Sequence, residues 1–149
     1  MSDNLGNILA FLTTAPVNHH DCQLLPDAFD MLEYVAQQTH LSLTGSYLTL
    51  DSGFYSDGNH ERVWEAHMIP VIKPNHRKTK DLAIIAARED CFSQYHEMYK
   101  DRFSIERCFA WEDKYRKLVV RYERLNATFL GFRLLASSLI NLRPFIGKT

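Results

Sequence analysis

"SYLTLDSGFYSDGNHERVWEAHMIPVIKP", residues 46 to 74, holds two short runs of strand formers on either side of a stretch with helical character. Tyr47, Leu48 and Leu50 open a strand that gives way to a glycine- and serine-rich turn, leaving Asp51 at the strand's carboxyl end. "GNHERVWEAHM" then reads as a short helix capped by Asn59. "IPVIKP" returns as a second strand, and Pro70, with no N–H to give to a ladder, suggests a sheet edge. Strand, helix and strand in that order predict parallel pairing through a crossover. Open sheets of this kind place their sites just beyond the carboxyl ends of strands, where Asp51 sits.

Upstream, "NILAFLTTAP" (Asn7 to Pro16) is short, apolar and rich in strand formers, and Pro16 stops it. From Leu25 the residues Leu25, Ala28, Phe29, Leu32, Val35 and Ala36 follow the three-four spacing of one helical face, with Pro26 and Asp27 suited to a first turn. That predicts a helix to about Gln38. The chain therefore reads as an α/β alternation. Its 149 residues, 46% hydrophobic and 23% charged, suffice for one core and one domain over residues 1–149, not for two.

Three cysteines, Cys22, Cys91 and Cys108, form no CxxC pair and leave an odd thiol. No charged-then-apolar leader and no long apolar run stands out, so a reduced, cytoplasmic chain without a membrane partner is expected. The net charge of −1 argues against a partner held by bulk electrostatics, which leaves local patches to decide.

The last third is mainly helical. Cys108, Trp111, Tyr115, Leu118, Tyr122, Leu125 and Phe129 recur at steps of three and four and mark one apolar stripe, whose ordinary role is core packing. Arg107, Lys114 and Arg121, with Lys117 and Arg124 beside them, form a second face of the same pattern. Such a face is usually just solvated, but it can also track a phosphate backbone. "IKPNHRKTK" (Ile72 to Lys80) adds Lys73, Arg77, Lys78 and Lys80 directly after the edge strand, and a cationic loop beside an acidic site can hold nucleic acid.

Other chemistries find little support. His19, His20 and Asp21, His60 with His67, and Cys91 with His96 lack the paired spacing of a structural zinc site. Cys108 lies on the apolar stripe and reads as a buried thiol rather than a nucleophile. There is no GxxxxGK[ST] and no GxGxxG, so no phosphate-cradling loop is indicated. Two carboxylates remain. Asp51 at a strand end and Glu106 on a later helix can meet across a sheet edge, where they would bind Mg²⁺ or Mn²⁺ through oxygen for phosphodiester chemistry.

"YKDRFSIERCFAWEDKYRKLVVRYERL", Tyr99 to Leu125, resembles the C-terminal signature of DDE-type transposases of bacterial insertion sequences. Tyr99, Arg102 and Glu106 stand at the tyrosine-arginine-glutamate spacing, and "FAW" and "RYE" follow. "TLDSGFYSDGNHERVWEAHMIPVIKPNHRKTK" is similar to the family's middle block, and "DNLGNILAFLTTAPVNHHDCQLLPDAFDML" resembles a strand that runs into a histidine-aspartate pair and a helix. The resemblance implies an RNase H-like fold, a mixed sheet with flanking helices. It also implies metal-dependent DNA strand cleavage and transfer, with Asp51 as second acid and Glu106 as third. Arg102 would support the acid site, and Lys114, Lys117 and Arg121 would contact DNA. Double-stranded DNA at element ends and target, a homo-oligomer and work at the bacterial nucleoid are implied with it.

Two departures accompany the resemblance. The family's lysine, seven residues after the glutamate, falls on Asp113, and Lys114 is one step later, about 100° round a helix. The family's first acid belongs to a strand upstream of the block with which this chain begins. Asp3 and Asp21 do not take its place, so the expected fold is incomplete, with N-terminal strands missing. Three arrangements stay open: a second reading frame joined to the first by frameshifting, a decayed remnant, or a companion polypeptide that supplies the acid. A non-catalytic DNA-binding remnant or regulator of a full-length transposase is the alternative function, and a stand-alone nuclease is a third.

Overall fold

The computed structural model describes residues 1–10, 20–77, 79–115, 118, 120 and 122–146. Helix α1 (Asp21–Thr39) is followed by strand β1 (Tyr47–Leu50), a 3₁₀ turn (Ser52–Phe54), helix α2 (Asp57–Glu65) and strand β2 (Ile69–Ile72). Helices α3 (Leu82–Ser93), α4 (His96–Lys100), α5 (Phe103–Glu112) and α6 (Asn126–Ile146) complete the described elements. The architecture is mixed α/β with a small parallel sheet.

β1 and β2 pair in parallel, Tyr47 opposite Ile69 and Leu50 opposite Ile72. The N–H groups of Ile69 and Lys73 donate to the carbonyls of Ser46 and Leu50, at 2.9 and 3.1 Å. Alternation then turns position 70 away from β1, so Pro70 sits where a missing N–H costs the ladder nothing. The sheet edge expected from Pro70 is found there. The same alternation turns the N–H and C=O groups of Tyr47 and Thr49 to the other edge of β1.

α1 starts four residues before the expected Leu25, which moves Pro26 from a first turn into the second. There its missing N–H leaves one carbonyl of the first turn without its usual partner. The predicted face nevertheless holds: Leu25, Ala28, Phe29, Leu32 and Ala36 are buried, and Val35 is half-buried. α2 is capped by Ser56, not Asn59; the Ser56 hydroxyl accepts the Asn59 N–H at 3.2 Å. Asn59 is instead buried in the first turn, donating from Nδ2 to the Phe54 carbonyl at 2.7 Å. Arg62 of α2 pairs with Glu33 and Asp30 of α1, at 2.5 and 2.9 Å, and its guanidinium lies 4.7 Å from the Phe29 ring centre.

Two cores result. Leu25, Phe29, Leu32, Val63, Met68 and Ala10 form the first, with Leu48, Leu50 and Phe54 packed against it. Ile8, Cys108 and Ile140 form the second, with Ile105, Trp111 and Tyr115 around them. The segment of Ile8 and Ala10 joins the two. The strand expected over Asn7 to Pro16 is described only to Ala10, where Ile8 makes one antiparallel bridge to Ser2; the rest lies outside the described residues. Asn141 of α6 fastens this segment, accepting the Ile8 N–H at 2.8 Å and donating to the Ile8 carbonyl at 2.9 Å.

The apolar stripe does not continue on one helix. After Phe109 the described bonds tighten, with Lys114 bonding to Trp111, Tyr115 to Glu112 and Leu118 to Tyr115, each three residues back. Three residues per turn put a three-four stripe out of phase. Cys108 is therefore buried and Trp111 and Tyr115 half-buried, while Tyr122 and Leu125 face solvent and Phe129 belongs to α6. α6 is also a longer apolar run than the sequence reading recognised. By length and composition alone it could cross a membrane, a weak criterion. Its Arg133 is bound to Glu112 of α5 at 3.1 Å, and its Arg143 lies 3.3 Å over the Trp111 ring, which places α6 against α5.

Candidate active site

Asp51 is fixed by the turn it begins. One side-chain oxygen accepts the Ser52 N–H at 2.5 Å, capping the 3₁₀ turn, and the Asp51 carbonyl accepts from the Phe54 N–H at 3.0 Å. The other, Oδ2, stands 3.6 Å from Nη1 of Arg102. Arg102 immediately precedes α5, and its Nη2 donates to Oε1 of Glu106, one turn along, at 3.4 Å. One guanidinium thus brings together two carboxylates that come from a strand end and a helix.

Aromatic contacts carry α4 and α5 to that position. Tyr47, turned away from the first core, meets Tyr95 at 6.1 Å between ring centres. Phe92 of α3 packs edge-on to Tyr99 of α4 at 5.0 Å. The Arg102 guanidinium lies 5.6 Å from the Tyr99 ring centre, within range of a cation–π contact. Burial pushes the Tyr99 phenol above its ordinary value, with Arg102 opposing and the Asp51 charge adding to the shift. Tyr99 therefore stays a neutral platform at physiological pH. The tyrosine-arginine-glutamate spacing has a physical basis here: a ring supports a guanidinium, which holds the glutamate and reaches Asp51.

The loop after β2 is anchored beside the same turn. Nδ2 of Asn75 donates to the Ser52 carbonyl at 3.1 Å, and Arg88 of α3 donates to the Asn75 carbonyl at 3.4 Å. His76 is paired with Glu89 at 2.6 Å. Lys73, Arg77 and Lys80 are exposed on this loop, while Lys78 lies outside the described residues. Of the second basic face, Arg107 is exposed on α5, and Lys114, past its end, lies 3.6 Å over the Trp111 ring. Lys117 and Arg121 lie outside the described residues. Asp113 ends α5 as its C-cap.

Asp51 and Arg102 also line a cleft of about 490 Å³ along the outer edge of β1. Leu25, Leu48, Leu50, Ile105 and Cys108 give it an apolar wall, and the bound pair Glu112 and Arg133 closes one side. Burial raises the Cys108 thiol above its ordinary value, and its Sγ donates to the Gly6 carbonyl at 3.2 Å, as suits a packed thiol.

Residues 1–141 match the family model described as the transposase DDE domain. The chain belongs to the transposase DDE-domain family. No curated protein and no solved structure matches it. The family's activity is DNA transposition and its partner is DNA, and its members normally work with a divalent metal.

In this DDE domain the donors suit such an ion. Asp51 and Glu106 offer exposed carboxylate oxygens, the donor type that hard divalent cations take, and both lie within 3.6 Å of the Arg102 guanidinium. Among the described residues no group of three or more His, Cys, Asp or Glu side chains is arranged to hold a metal ion. Asp51 and Glu106 would therefore fill two positions of a larger set. Asp3 is engaged within its own turn, where its two oxygens accept from the Leu5 and Asn7 N–H groups and the Asn7 side chain. Sequence reasoning missed the Asn75 anchor and the Asn141 clamp, because an amide that bonds to distant backbone leaves no periodic trace.

Proposed function

We propose that the chain is the C-terminal portion of an RNase H-like transposase catalytic domain, in which Asp51 and Glu106 hold Mg²⁺ or Mn²⁺ for strand cleavage and transfer. The observation that carries the reading is the reach of Arg102 to both acids, at 3.6 and 3.4 Å. A divalent cation bound there would supply Lewis acidity to the phosphodiester and a more acidic attacking water or 3′-hydroxyl. Asp51, fixed by its turn, and Glu106, on a helix, orient that charge. Lys73, Arg77 and Lys80, with Lys78, grip the DNA backbone next to the acids, and Arg102 contributes a planar donor for phosphate. Lys114, Lys117 and Arg121 extend the contact.

The reading needs one more carboxylate. We place it on a strand seated along the outer edge of β1, where the backbone groups of Tyr47 and Thr49 face the apolar cleft. An upstream-frame polypeptide would deliver it, and the exposed apolar side chains of α6, among them Leu134, Leu135 and Leu142, support completion by association, including a homo-oligomer. The place of work is the cytoplasm, at the nucleoid.

Cleavage of the DNA flanking its own gene, measured in Mg²⁺ and Mn²⁺ with and without the upstream-frame polypeptide, tests this. The proposal predicts metal-dependent cleavage that Asp51→Asn and Glu106→Gln each abolish. Cleavage indifferent to both substitutions refutes it. A second reading, a DNA-binding regulator without catalysis, draws on the exposed Lys73, Arg77 and Lys80. DNA binding with no cleavage under any of these conditions favours it.

A further inference from the structure

Arg102 is not bound as a structural arginine is. Elsewhere in the same molecule Arg62 holds its two carboxylates at 2.5 and 2.9 Å, within or below the range of about 2.7–2.9 Å for charge-assisted bonds. Arg102 stands 3.6 and 3.4 Å from its two, with Asp51 58% and Glu106 53% exposed. It is close enough to neutralise but too far to lock, and its 5.6 Å contact with the Tyr99 ring supports the head without fixing either nitrogen.

We propose that Arg102 is an exchangeable counter-cation: it neutralises Asp51 and Glu106 while no divalent cation is bound, and is released from them to a DNA phosphate when one binds. The inference rests on the reading that these two acids hold the cation. The charge balance requires an exchange. Two carboxylates and one guanidinium carry a net charge of −1, so the pair still attracts cations. A divalent ion turns the cluster to +1 and repels the guanidinium, whose planar donors match a phosphate in two-point fashion. The anchored loop of Lys73 and Arg77 lies next to the same turn and brings phosphate there. Cation loading and DNA binding are then linked, and by reciprocity each strengthens the other.

Mn²⁺ binding to the full chain, followed by the paramagnetic resonance of the free ion, tests the proposal. Arg102→Gln is expected to bind Mn²⁺ about three- to tenfold more tightly than the wild type, the size expected for removing one partly screened positive charge. Adding Asp51→Asn to that variant is expected to cancel the gain. Arg102→Lys keeps the charge without the two-headed reach and is expected to fall between; it decides the matter if the glutamine variant does not fold. With a short labelled duplex, Mg²⁺ is expected to raise affinity more in the wild type than in Arg102→Gln. Equal Mn²⁺ affinities with Asp51→Asn still losing the ion overturn the inference and leave the acid site standing. Mn²⁺ binding that ignores both Asp51→Asn and Glu106→Gln, or none in any variant, overturns the reading beneath it.

Discussion

Replacing Asn141 removes a side chain that hydrogen-bonds α6 to the segment joining the two cores. Its amide makes two bonds with the backbone of Ile8, at 2.8 and 2.9 Å, and Ile8 is only 9% exposed. Each bond contributes about 0.5–1.5 kcal/mol net, and stranding a partly buried donor or acceptor adds to the cost. Asn141→Ala should therefore destabilise the chain by about 2–3 kcal/mol. With a urea slope of about 2 kcal/mol/M for a domain of this size, the midpoint falls by about 1–1.5 M. Asn141→Asp keeps the acceptor for the Ile8 N–H but turns a carboxylate toward the Ile8 carbonyl. Its loss should shrink as pH falls through the carboxyl's pKa and a donor returns. Urea titrations followed by tryptophan fluorescence in a Trp64→Phe background, which leaves Trp111 to report on the second core, check both expectations. An Asn141→Leu variant as stable as the wild type would falsify the clamp, because leucine keeps the volume and discards both bonds.

Three further outcomes follow from the same geometry. Arg62→Ala should cost about 1–2 kcal/mol in thermal or urea unfolding, since it removes a partly buried ion pair and the cover over Phe29 while leaving Glu33 and Asp30 unpaired; a neutral result would mean that α1 and α2 are held by apolar packing alone. Thiol labelling with mass-spectrometric readout should modify exposed Cys91 first, half-buried Cys22 next and Cys108 last, with Cys108 lagging even near pH 9 because burial keeps its thiol protonated. Removing Lys73, Arg77 and Lys80 together should lower the salt slope of DNA binding by roughly 3, at about 0.9 per phosphate contact, whereas an unchanged slope would move the DNA path away from this loop.

The sheet was legible because each of its parts has a local cause. Strand formers at Tyr47–Leu50 and Ile69–Ile72, a capped helix between them and Pro70 at an outward-facing position fix parallel pairing and put Asp51 at a strand end. The buried face of α1 was equally plain from its spacing, although its start was not, since Pro26 reads more naturally as a first-turn residue than as one within the helix. The end of α5 was hidden for a different reason. Apolar spacing continues from Cys108 to Phe129, and periodicity does not register the change from four-residue to three-residue hydrogen bonding with which α5 ends at Glu112. Of the candidate site, the Arg102 and Glu106 contact follows from a helical i to i+4 step. The reach of Arg102 to Asp51 depends on Tyr47 meeting Tyr95, 48 positions on, and on Phe92 meeting Tyr99 across the break between α3 and α4, pairings that no helical or strand period announces.

The central claim is that Asp51 and Glu106 form one cation site. Fe²⁺ substituted for Mg²⁺, with ascorbate and peroxide, cuts the polypeptide backbone close to where the ion sits, and mass spectrometry locates the cuts. The account predicts cuts clustered at the turn after β1 and in the first turns of α5, suppressed by excess Mg²⁺ and lost in Asp51→Asn. Cuts at only one of these two places, or a pattern unchanged by Asp51→Asn, contradict it.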